Sequence, residues 1–175
     1  ARLRLPFEWA APDVDESALP GETAPARAGR LAIAKAQALA ARFPQHLIIG
    51  SDQVAELAGQ HLGKPGNRDN AIAQLTACSG ELVHFHTGLC LYDSATGKAA
   101  STVETFSVQF RRLNAAEIER YIDAEQPFDC AGSFKSEGLG ISLFASFHGR
   151  DPNALVGLPL MALCDMLRES GWQVP

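Results

Sequence analysis

The chain has 175 residues, 46% hydrophobic, 20% charged and 7% aromatic, enough to enclose a hydrophobic core within one compact domain. That composition excludes a disordered tail, a collagen-like repeat and a disulfide-stapled miniprotein. Fifteen Lys and Arg against 20 Asp and Glu leave a net charge of −5, so the chain as a whole offers no basic face to a nucleic-acid polymer.

Residues 1–7 read as the last turn of a helix running into a strand, and residues 7–11 as a short strand. A polar loop rich in breakers follows, through Pro12, Asp13, Asp15, Glu16, Pro20, Gly21 and Pro25. The Ala-rich run from 26 to 42, with Leu31, Ile33 and Leu39, predicts a helix ended by Pro44. The apolar run 47–50 predicts a central strand buried on both faces, delivering the chain to Ser51, Asp52 and Gln53. A hairpin through Ala58, Gly59 and Gln60 returns by way of His61 to Pro65. Asn67 can cap a helix over 69–77, which stops at Ser79 and Gly80.

Residues 82–92 and 100–110 form a long β-hairpin around 93–98, and alternation over 102–110 fits a sheet wet on one face. The spacing of Asn114 and Glu117 is that of a capping box, opening a helix to residue 124. A Gly-rich stretch over 131–141 encloses Lys135 and Glu137, and a last helix covers 160–169. With no repeat or linker, loosely alternating elements read as α/β or α+β with a mixed sheet; together with the resemblance given below, the expected class is α/β: a single domain with a mixed, elongated β-sheet flanked by helices. No run reaches about 18 apolar residues, so no membrane span is predicted. Cys78, Cys90, Cys130 and Cys164 lack a C-x-x-C pair and read as reduced thiols of a cytoplasmic protein.

Charge is uneven. Residues 27–68 carry six basic side chains against two acidic ones, a net of +4, leaving −9 for the rest. Such a zone suits a small polyanion, or describes a solvated face. Lys35 stands four residues from both Leu31 and Leu39, inside an apolar helical stripe, where its ammonium must snorkel out or meet an anion. Asp52, after a buried strand, can bind a hard cation, accept a proton from water, or merely cap the turn. Lys64, between Gly63 and Pro65, is either aimed at a ligand or an ordinary turn lysine. The Gly-rich stretch allows close backbone approach to a ligand, or is a surface loop; it is neither a Walker nor a Rossmann motif. No histidine pair has metal-ligand spacing on a helix, and His84 and His86 are expected on one face of a strand. Serine-hydrolase and thiol-enzyme readings fail for want of their signatures, which leaves metal-assisted phosphate chemistry.

Six ordered segments carry a resemblance. They are 5–7 with 12–16, 31–36, 49–54, 62–65, 129–138 and 153–159, including Lys35-Ala36, Gly50-Ser51-Asp52-Gln53, Gly63-Lys64-Pro65 and Gly132-Ser133-Phe134-Lys135-Ser136-Glu137-Gly138. In this order they resemble the Maf family of nucleoside triphosphate pyrophosphatases. Gln53 and Glu137 resemble the branch that hydrolyses 7-methyl-GTP, where the branch acting on dTTP and UTP carries Thr and Gln. A carboxylate at Glu137 suits that base, because methylation at N7 makes guanine cationic and its ring N–H and amino group are donors.

The resemblance implies that Asp52 is the proton acceptor activating water for attack on the α-phosphorus. It implies Glu16 and Asp52 as ligands of a divalent cation, Mg²⁺ or Mn²⁺, Lys35 and Lys64 as phosphate-binding residues, and Gln53 and Glu137 as specificity residues. A cytoplasmic enzyme with a small nucleotide substrate, no nucleic-acid or membrane partner and a possible homodimer is the expectation. Residues 1–175 are expected to form one Maf-like domain lacking its N-terminal strand and a Ser-x-Ser-Pro-x-Arg phosphate loop. The alternatives are a pyrophosphatase for dTTP, UTP or another noncanonical nucleotide, and a non-catalytic nucleotide-binding regulator of cell division. A pure binder would not need Glu16, Lys35, Asp52 and Lys64 together.

Overall fold

The computed structural model describes residues 2–174. Along the chain come α1 (Ala24–Ala38), β1 (Leu47–Leu57), β2 (Gln60–Leu62), α2 (Arg68–Cys78), β3 (Leu82–Asp93), β4 (Lys98–Phe110), α3 (Ala115–Glu125), β5 (Phe144–His148) and α4 (Leu160–Glu169). The helix starts follow from local chemistry. Thr23 accepts from Ala26 N at the head of α1, Asn67 from Asn70 N at the head of α2, and Asn114 and Glu117 complete the capping box of α3.

The strands form one sheet in the order β2-β1-β3-β4-β5. Every pairing among the described residues is antiparallel, so the α/β domain is as expected but its sheet is not mixed. Hairpins join β1 to β2 and β3 to β4, which makes those pairs antiparallel by construction, and no parallel crossover links the others.

Other elements depart from their sequence-based limits. Residues 7–11 form no strand; they are irregular, with Phe7 69% and Trp9 85% exposed. Helix α1 ends at Ala38, and 39–42 continue as turns. Strand β1 runs on to Leu57, so Asp52 lies in mid-strand and not at a strand end. Strand β5 was not expected; it is short and pairs only with the end of β4. Among the described residues no helix is long and apolar enough to cross a membrane.

Alternation assigns the layers. On one face of the sheet, Ile48, Gly50, Asp52 and Val54 of β1 and Gly88 and Cys90 of β3 meet α1. On the other, Ala55, Val83, Phe85, Phe106, Val108 and Phe110 build the main core with α2 and α3, while Leu89 and Leu91 pack on α4. Phe134 of the Gly-rich segment is driven into that core, edge to face with Phe85, Phe110 and Phe144 at centroid distances of 5.2, 5.8 and 4.9 Å.

Helix α1 lies almost backbone to backbone on the sheet. A Cβ at Gly50 would fall 2.1 Å from the Ala32 carbonyl oxygen, and one at Gly88 2.1 Å from that of Ala28. Both obstacles are main chain and cannot swing aside. Gly50→Ala and Gly88→Ala are therefore each expected to cost about 2–3 kcal/mol, a fall in Tm of roughly 5–10 °C by thermal denaturation. Gly63→Ala, with nothing within 4 Å of the added carbon, serves as the neutral control.

Candidate active site

The apolar stripe of α1 aims Lys35 at the sheet, and the pleat of β1 turns Asp52 toward the helix. Their charges meet. Lys35 Nζ donates to Asp52 Oδ1 at 2.6 Å and lies 2.7 Å from Glu16 Oε1. The lysine side chain is 19% exposed and that of Asp52 10%, whereas Glu16 reaches in from a solvent-facing loop. Burial works against the charge on Lys35, but its bonds to Asp52 and Glu16 outweigh that and raise its pKa. Burial raises the pKa of Asp52 despite the opposing pull of Lys35. The bond from Lys35 holds Glu16 below its usual value.

Two arginines of α1 fix the loop that carries Glu16. Arg27 Nη2 donates to the Glu16 carbonyl at 2.8 Å and Arg30 Nη2 to the Ser17 carbonyl at 3.0 Å. Arg30 also grips Glu22 through two bonds of 2.6 and 2.9 Å and pushes its pKa down to about 2. In the sequence these arginines register only as charge. Their roles depend on contacts eight to thirteen residues away in an irregular loop, for which composition carries no signal. Lys64, exposed after β2, touches none of the cluster through a hydrogen bond, yet its charge adds to the field that lowers Glu16.

The donor set suits a hard divalent cation. Two carboxylates converge on a single cationic nitrogen, and Mg²⁺ commonly takes only one or two protein carboxylates, completing its shell with phosphate oxygens and water. Among the described residues no group of three His, Cys, Asp or Glu is arranged to hold a metal alone. His84 and His86 do share a strand face, with ring centroids 6.1 Å apart, but each Nδ1 is engaged by a hydroxyl on β4.

Gln53 follows Asp52 along β1 and so faces the opposite side of the sheet. There it lines a pocket of about 280 Å³ with Phe85, Cys130, Phe134, Lys135 and Glu137. The structure thus gathers the expected residues into two sets. Glu16, Lys35 and Asp52 stand on one face, Gln53 and Glu137 in a pocket on the other. Beside the pocket-lining Ala131 and Phe134 the backbone turns through left-handed φ at Gly132, +76°, where it costs nothing, and at Ser133, +62°, where it is strained, and the buried Ser133 hydroxyl donates to Gln74 Oε1 at 2.5 Å. Burial and the neighbouring Asp129 push the Cys130 thiol up to about 11, away from the thiolate form.

The wall beyond Gln53 is organised by Asp151, fully buried and missed in the sequence, where only an Asp-Pro-Asn turn signals it. Its carboxylate accepts from Asn153 N at 2.9 Å, Asn153 Nδ2 at 2.6 Å and Met161 N at 2.7 Å, joining the turn at 152–154 to the start of α4. Burial opposes its charge, but these bonds prevail and its pKa is lowered. A depressed carboxylate stabilises the fold fully above its unfolded pKa, about 3.9, and progressively less as pH falls through the native value. Asp151→Asn is expected to lose about 1.5–3 kcal/mol at pH 7. The gap to the parent in urea titrations should close as pH drops below about 4.

The Maf family profile, described as "Maf-like protein", matches residues 1–170. A Pseudomonas putida protein named 7-methyl-GTP pyrophosphatase is 55% identical over 175 residues, covering 100% of this chain and 91% of the relative. Proteins of the same name from Pseudomonas aeruginosa and Alcanivorax borkumensis are 55% and 56% identical over 174 residues, 99% of this chain and 91% and 88% of theirs. A profile match over residues 1–170 of 175, relatives more than half identical, and the segments around Lys35, Asp52 and Glu137 together establish that this chain belongs to the Maf family.

Proposed function

We propose that this chain is a nucleoside triphosphate pyrophosphatase, a hydrolase of acid anhydrides that converts 7-methyl-GTP to 7-methyl-GMP and pyrophosphate. The observation that carries the reading is the Glu16–Lys35–Asp52 cluster, a half-buried cation held between two carboxylates on one sheet face. The name shared by relatives at 55–56% identity supports the same substrate.

Asp52 takes a proton from water as the water oxygen bonds to the α-phosphorus and the bond from that phosphorus to the bridging α,β-oxygen breaks. Pyrophosphate leaves with that electron pair. A carboxylate whose pKa is raised by burial is a stronger base than one in solvent. Lys35, fixed beside Asp52, and Lys64, whose charge reaches Glu16, neutralise phosphate charge as it shifts toward the leaving group. Glu16 and Asp52 would hold a divalent cation, Mg²⁺ or Mn²⁺, which would supply charge neutralisation for the triphosphate. The base belongs in the pocket of Gln53 and Glu137, where a carboxylate accepts from the guanine edge and offsets the charge of the methylated ring. A nucleotide touching both sets passes around β1 and does not lie on one face.

Pyrophosphate release from a panel of methylated and canonical triphosphates with Mg²⁺ or Mn²⁺ tests the reading. Asp52→Asn is expected to lower turnover by about 100-fold or more while nucleotide still binds in equilibrium dialysis; unaltered turnover would remove Asp52 from the chemistry. Glu137→Gln is expected to shrink the kcat/KM advantage of 7-methyl-GTP over dTTP and UTP by about tenfold or more. A preference that survives undiminished sinks the role given to Glu137.

A further inference from the structure

Thr87 is fully buried in the middle of β3, directly opposite Gln53, and the reaction scheme above leaves it unused. Its hydroxyl has one hydrogen, which it donates to the Ala154 carbonyl at 2.8 Å. Its oxygen is thereby left to accept, and it accepts from Gln53 Nε2 at 2.9 Å. The same Nε2 donates to the Ala154 carbonyl at 2.7 Å and approaches that of Leu155 at 3.3 Å. Thr87, Gln53 and Ala154 therefore close a triangle in which each donor has an acceptor.

That triangle decides which way the Gln53 amide faces. Turned over, Oε1 would stand against the Ala154 carbonyl oxygen and against a Thr87 oxygen whose one hydrogen is already given to that carbonyl. The NH₂ end is consequently spent on the protein, and among the described residues no group donates to Oε1. Because Gln53 lines the pocket with Glu137, the two side chains offer a ligand acceptors only. We propose that Thr87 is a positioning residue for base selection: by holding the Gln53 amide with its oxygen toward the pocket, it makes the pocket select base edges that carry N–H donors.

This rests on the substrate reading above and sharpens it. The edge of a guanine-type base presents a ring N–H and an amino group, whereas a pyrimidine of the dTTP or UTP kind presents one N–H between two carbonyls. Carbonyls facing fixed acceptors are repelled, so the amide's orientation rejects the second kind as well as favouring the first.

The test compares Thr87→Val, which removes the hydroxyl at similar size, with Thr87→Ser, which keeps it. Thr87→Val is expected to reduce the kcat/KM preference for 7-methyl-GTP over dTTP and UTP by about tenfold, through a higher KM for 7-methyl-GTP with kcat within about twofold. Thr87→Ser is expected to retain the preference. An unchanged ratio in Thr87→Val, or an equal loss for every nucleotide, overturns the proposal. Should Thr87→Val fail to fold, ¹⁵N-detected exchange of the Gln53 side-chain amide in the unaltered protein decides: both N–H protons protected supports the triangle, and exchange at the rate of a free glutamine side chain overturns it. If the unaltered protein has no preference for 7-methyl-GTP, the substrate reading falls instead, and the ratio between its preferred nucleotide and the others still tests Thr87.

Discussion

The site depends on how closely α1 lies on the sheet. Two glycines on neighbouring strands, Gly50 and Gly88, leave the helix backbone in contact with strand backbone, and a row of fully buried alanines, Ala24, Ala28, Ala32 and Ala36, completes the fit. Any side chain at the two glycines, or one larger than methyl at the alanines, would lift the helix by the thickness of a methyl group or more. Lys35 sits next to Ala36 at the rim of that contact, so its ammonium is carried to the sheet surface two residues along β1 from Gly50, where Asp52 waits.

This closeness sets the electrostatics. A lysine and an aspartate largely removed from water cannot afford to lose one another, and truncating either would strand a charge in a poorly solvated place. Glu16 adds a second carboxylate, so the cluster carries one more negative charge than positive. Such a balance leaves room for a further cation, while Arg27 and Lys64 add positive charge to the surroundings. The acidic character of the chain as a whole is therefore no obstacle to an anionic ligand, because the field that matters is local.

The period-two geometry of the strand has an equally direct consequence. Asp52 and Gln53 are neighbours in sequence, yet the pleat sends one to the charged cluster and the other to a pocket walled by aromatic rings and backbone carbonyls. One strand thus separates a charged cluster of one lysine and two carboxylates from a recess of about 280 Å³. The wall of that recess is itself held by Asp151 and flanked by the strained Ser133, features of a backbone fixed by its surroundings and not by local preference.

Local chemistry made much of this legible beforehand. Asn67, Asn114 and Glu117 announce helix starts by side-chain to backbone bonds three residues long, and the β3–β4 hairpin and α4 follow from periodicity alone. The place of Lys35 in an apolar stripe likewise marked it as a cation that must meet an anion. What the sequence alone determined were interactions within a turn or two of helix or a hairpin, because hydrogen-bond reach and side-chain period are properties of the local chain. Only the tertiary structure decided that the sheet is antiparallel throughout, that residues 7–11 remain irregular, that Arg27 and Arg30 brace the Glu16 loop, and that Thr87 and Ala154 turn the Gln53 amide. The side-chain contacts among them join partners 8 to 101 residues apart, brought together by packing that no local window of sequence contains.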